Sequence, residues 1–146
     1  MKKALLLTSL VVFSSFSLTG CTKESPDKWA PNKAIDRQDA RERRAWVKIN
    51  DVEYEDKNKD ITKAIYNAAP YNHAKKNGSQ SSNYFIFSFD VSGHIFPANC
   101  TMTFFDDGYV EVESLKVDYI YSFDQDTAKE LYETVVAFVN NNYQAQ

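Results

Sequence analysis

Tyr84-Phe85-Ile86-Phe87-Ser88-Phe89-Asp90-Val91 is the stretch that decides the fold. Side chains of an extended chain alternate between two faces. Phe85, Phe87, Phe89 and Val91 therefore share one face, and Tyr84, Ile86, Ser88 and Asp90 the other. An apolar face of that kind has to be covered, while the mixed face tolerates water, which is the pattern of an antiparallel strand with one side packed.

Working outward toward the C-terminus, Ser92-Gly93 marks a turn, and a second strand is expected over residues 99–105. Cys100, Met102 and Phe104 have the inward parity. Asp106-Asp107-Gly108 is a hairpin signal, because Gly108 adopts a positive φ without penalty. Tyr109–Glu113 alternates again, with Val110 and Val112 inward. Residues 117–121 predict one more strand. Residues 124–141 predict a helix, with Ala128, Leu131, Val135, Phe138 and Val139 on one stripe. Ser122 and Gln125 have capping-box spacing.

Working outward in the other direction, the polar residues 71–83, with His73 among them, read as an exposed loop. Before it, Ile61, Ala64, Ile65, Ala68 and Ala69 repeat at helical spacing. Asp60 reads as the N-cap of that helix and Pro70 as its stop. The expected fold is α+β: an antiparallel sheet of three to four strands with two helices on one face, in the order helix, strands, helix. The domain is expected over residues 51–146.

The chemistry-bearing residues are few. Cys100 shares the inward parity of Met102 and Phe104, so its thiol should be buried and unreactive. The alternative is a thiol enzyme using Cys100 with His94 or His73. The two histidines fit no zinc spacing, and two adjacent aspartates supply too few oxygens for a calcium loop. Glu111 and Glu113 share a strand face, as an exposed alternating strand also predicts. No catalytic residue, metal ligand or cofactor is therefore assigned. The mixed face of the sheet is the better candidate. Tyr84, Thr101, Phe105 and Tyr109 form the expected partner-binding face, since aromatic residues are favoured at protein interfaces.

Charge is unevenly spread. Residues 22–50 carry eight Lys/Arg against five Asp/Glu, and residues 51–146 carry seven against fifteen. Arg37, Arg41, Arg43 and Arg44 are the only arginines. A basic stem suits an anionic membrane surface, and an acidic domain does not suit nucleic acid. Residues 22–34, with Pro26 and Pro31, read as a flexible tether. Residues 35–45 read as a solvated stem, the alternative being a short charged helix in which Asp39 and Arg43 pair at i, i+4. Trp46, Val47 and Ile49 suggest a short strand or docking segment.

The N-terminus is the most specific part of the sequence. Met1-Lys2-Lys3 is a positive head, and residues 4–18 carry no charge. The stretch is short for a membrane-spanning helix but suits a secretory signal. It ends in Leu18-Thr19-Gly20-Cys21, which resembles the lipobox of bacterial prolipoproteins at every position. The resemblance implies a signal peptide over residues 1–20, cleavage after Gly20, and lipid on Cys21. With the charge distribution, residues 21–50 are then expected to be a lipidated N-terminus and basic tether or stem. Several acyl chains on one residue make a lasting membrane anchor. Thr22 stands where an Asp would signal inner-membrane retention. The resemblance therefore implies outer-membrane sorting in a cell with two membranes, and otherwise the outer face of the cell membrane. The expected function is a membrane-anchored, non-enzymatic module that binds a protein in the cell envelope. Inhibitor, immunity, exclusion and envelope-assembly roles are all compatible.

Overall fold

The computed structural model describes residues 24–37, 43–91 and 98–143. A 3-10 turn at Pro26–Lys28 leads into helix α1 (Pro31–Arg37). A hairpin follows, β1 (Ala45–Ile49) and β2 (Val52–Glu55), then α2 (Asp60–Asn67) and the short β3 (Asn72–Ala74). Next come β4 (Tyr84–Val91), β5 (Ala98–Phe105), β6 (Tyr109–Glu113), β7 (Asp118–Ser122) and the long α3 (Gln125–Tyr143). The strands form one seven-stranded sheet in the order β2-β1-β4-β5-β6-β7-β3. Every neighbouring pair is antiparallel.

This corrects the expected fold. Among the described residues, seven strands replace three to four, three α-helices replace two, and the order is helix, strands, helix, strands, helix. Each addition has a physical reason. The β1–β2 hairpin turns on Asn50 and Asp51, both at positive φ (49° and 63°), as a two-residue hairpin loop requires. A domain boundary at residue 51 divides that hairpin. Strand β3, Asn72-His73-Ala74, has no apolar alternation and is held by its ladder to β7, within the stretch expected to be loop. Helix α1 has a small apolar face, Pro31, Ala34 and Ile35, and is held by packing on α2.

One face of the sheet carries the core. Phe85, Phe87, Phe89, Cys100, Met102, Phe104, Val110 and Val112 are all buried on it. Phe85 and Phe104 stack across the central strand pair, with ring centroids 5.1 Å apart. Helix α3 lies over β1, β4 and β5, and touches α2. Toward the β7 side, the same face is covered by the N-terminal segment.

That segment is neither tether nor solvated stem in residues 24–37. Trp29 is 2% exposed and Ile35 0%. The Tyr119 and Tyr121 hydroxyls donate to the backbone carbonyls of Glu24 (2.5 Å) and Pro26 (2.6 Å). The expected Asp39–Arg43 pair involves a residue outside those described, as do Leu18, Thr19, Gly20 and Cys21.

The helix caps also differ from expectation. Asp60 is the first residue of α2, not its cap. The buried Asp56 carboxylate accepts from the Ile61 and Thr62 backbone N–H groups and from the Thr62 hydroxyl (3.3, 2.8 and 2.7 Å). For α3 the cap is Asp124, which accepts from the Thr127 N–H and hydroxyl, rather than Ser122 paired with Gln125.

Candidate partner-binding face

The uncovered face of the sheet is built from the residues between the core positions. On β4 and β5 these include Tyr84, Ile86, Ser88, Thr101, Thr103 and Phe105, and on β6 Tyr109, Glu111 and Glu113. Tyr84 lies opposite Phe105 in the ladder, with ring centroids 5.6 Å apart. Phe105 and Tyr109 flank the turn at Asp106–Gly108, one on each strand of the hairpin. Three of the four expected residues are thus gathered at one end of the sheet. Thr101 is not among them. It pairs with Ser88 and Glu113, four residues back along β5, roughly 13 Å away at strand rise.

Exposure within the cluster is graded. Tyr84 is 46% exposed, whereas Phe105 and Tyr109 are half-buried. Part of the cover comes from residues 75–83. Gly78 sits so close to the Glu111 carboxylate that an added Cβ would come within 2.9 Å of it. The same segment is pinned to the turn. Ser79 donates to Asp107 (2.8 Å), and Ser81 and Asn83 donate to Asp106 (2.5 and 2.9 Å). These donors, Ser81 first, hold the Asp106 carboxyl below the usual carboxylate range against a small burial effect. Asp106 and Asp107 therefore organise the loop that borders the face, and turn-forming alone does not describe them.

On the other side of Tyr84 the face is open. A depression of about 400 Å³ is bounded by Lys48, Asn50, Asp51, Asn83, Tyr84 and Ile86. Its wall is mostly polar, with Ile86 and the Tyr84 and Tyr132 rings as the apolar elements. Further along, Arg44 pairs with Glu55 (3.0 Å) and lies 5.2 Å over the Trp46 ring. The sequence reading did not select this group. The alternation of Trp46 and Lys48 with Val47 and Ile49 was its visible signal.

Cys100 is fully buried, and burial pushes its thiol up to about 12. A thiol in that condition is a poor nucleophile at neutral pH. His73, on β3, makes edge contacts with the Tyr119 and Tyr121 rings (5.5 and 5.9 Å between centroids). His94 lies outside the described residues. Among the described residues, no group of three or more His, Cys, Asp or Glu is placed to hold a metal ion. None of their helices is long and apolar enough to cross a membrane.

Compared with family models, curated proteins and solved structures, the chain matches none.

Proposed function

We propose that this chain is an exported lipoprotein, anchored through lipid on Cys21. Its folded domain binds a protein of the cell envelope through the uncovered sheet face around Tyr84, Phe105 and Tyr109. The observation that carries the binding reading is the Tyr84–Phe105 pair, with Tyr84 46% exposed beside an open polar depression. Rigid aromatic side chains next to satisfiable polar groups are the usual anchors of protein interfaces. The anchoring reading is supported by the residue pattern of the leader, from Lys2-Lys3 to Leu18-Thr19-Gly20-Cys21. The acidity of the domain supports a protein partner over nucleic acid. The burial of Cys100 supports a binding role over a thiol hydrolase.

Two measurements test it. Cys21→Ala should abolish both processing and membrane association; a variant that is processed and retained like the wild type would sink the anchor. Crosslinking in intact cells should recover a partner from wild-type protein. Tyr84→Ser with Tyr109→Ser should weaken that partner by about tenfold or more, since truncating an interface anchor costs about 2 kcal/mol. Unchanged capture by the double variant, with its thermal unfolding intact, would remove the sheet face from consideration.

A further inference from the structure

Glu24, three residues after Cys21, is fixed to the folded domain from two sides. Its carbonyl accepts from the Tyr119 hydroxyl (2.5 Å). Its carboxylate accepts from the Trp29 indole N–H (2.6 Å) and pairs with Arg37 (3.4 Å) and Lys116 (3.8 Å). Extended chain covers at most about 3.3–3.6 Å per residue, so Cys21 cannot lie more than about 11 Å from Glu24. Lipid on Cys21 therefore brings the surroundings of Glu24 to the level of the lipid headgroups.

Lys116 belongs to the turn between β6 and β7, residues 114–117. Its neighbour Leu115 is 78% exposed, the most exposed large apolar side chain among the described residues. The turn is tight. The Ser114 and Val117 backbones bond each other (2.9 and 3.4 Å), and the Lys116 N–H reaches the Ser114 hydroxyl (3.3 Å). Val117 is buried and roots the turn in the core. Leu115 is thus held out at its tip. A single exposed leucine needs no explanation in general. This one stands next to the residue that the proposed lipid draws to the bilayer.

We infer that the β6–β7 turn is a membrane-contact site, with Leu115 entering the interfacial layer of the bilayer that carries the lipid on Cys21. An apolar side chain held at that depth leaves water for the acyl boundary. The Lys116 ammonium, on a side chain 39% exposed, stands at the level of the lipid phosphates. Glu24, paired with Lys116, and the exposed Glu113 and Asp118 beside the turn cancel that attraction, so the leucine carries the contact. The Tyr84–Phe105 pair lies at the opposite end of the strands. Glu113, where the β6–β7 turn begins, pairs with Thr101, four residues along β5 from Phe105, roughly 13 Å at strand rise. The partner-binding face is thereby turned away from the lipid.

This inference rests on the lipoprotein reading, and one experiment separates the two. Full-length Leu115→Cys and Tyr84→Cys proteins are expressed in cells, purified and reconstituted into vesicles. Each is labelled with an environment-sensitive fluorophore; Cys100 is buried and Cys21 is blocked by lipid. The label at position 115 should shift to the blue and be quenched several-fold more strongly by nitroxide-bearing lipids than the label at position 84. Membrane-bound protein with equal quenching at both positions would overturn the contact site and leave the lipoprotein reading standing. A blue shift at 115 without lipid quenching would overturn it in favour of a second protein copy over the turn. Protein that stays soluble, with an unmodified Cys21, would overturn both.

Discussion

Gly108 shows how a single residue sets the geometry of the proposed site. Its φ is +92°, and a Cβ there would come within 2.7 Å of the Phe123 carbonyl oxygen. Both the strain and the clash fall on backbone, which has no side chain to move aside. Gly108→Ala should destabilise the domain by about 1–3 kcal/mol, read as a lower urea midpoint. Gly78→Ala meets only the end of the Glu111 side chain and should stay within about 0.5 kcal/mol. Gly108 was legible in advance because a hairpin turn asks for positive φ at a known place. The caps were not. Asp56 and Asp60 are the same residue type, and so offer the same chemistry to α2. What selects Asp56 is the path of the chain, with Lys59 at φ 62° just before the helix. The binding cluster divides in the same way. Alternation placed Tyr84, Thr101, Phe105 and Tyr109 on one face, but only the register shows that Thr101 stands apart.

Elements whose pattern is local were readable, and elements held by distant partners were not. Strands β4 and β6 lie where alternation puts them, because a buried face repeats every second residue. The segment from Glu24 to Arg37 offers no such repeat. Trp29, Ala34 and Ile35 are sparse and separated by charges, and their burial depends on Tyr119, Tyr121 and α2. A composition that suits a linker thus covers part of the core. Trp29→Ala measures the difference. A tether residue would be neutral, whereas Trp29→Ala should cost about 3–5 kcal/mol, measured by denaturant unfolding of the protein. Strand β2, Val52-Glu53-Tyr54-Glu55, alternates clearly in hindsight. It is short, and it was separated from β1 by a boundary drawn on charge composition. Charge asymmetry reports on surfaces and solubility, not on where a fold begins.

At the scale of the whole fold, β2 and β3 are the edge strands of the sheet among the described residues. Glu53 and Glu55 lie on the first, and the second is only three residues long. Charged or short edge strands discourage pairing with other chains, which favours the aromatic face as the surface for the proposed partner. On the lipoprotein reading, orientation at the membrane depends on the short lead to Glu24. Inserting a Gly/Ser stretch of about ten residues between Lys23 and Glu24 would free the domain from the proposed lipid. Stability should change by less than about 0.5 kcal/mol, because the docked contacts begin at Glu24. Lipid quenching at position 115 should fall toward the value at position 84. None of this polarity was visible in the linear sequence, since it depends on which turn lies beside Glu24. The bonds that dock Glu24 and Pro26 have a further consequence, in time rather than in space. Their partners Tyr119 and Tyr121 come 95 residues later in the chain. A protein exported N-terminus first presents its leading segment long before β7 arrives to receive it. On the lipoprotein reading, Cys21 stays clear of the fold while it is acylated and cut. Contacts of such long sequence separation form slowly, so the arrival of β7 ends the period in which processing enzymes have a loose chain to work on.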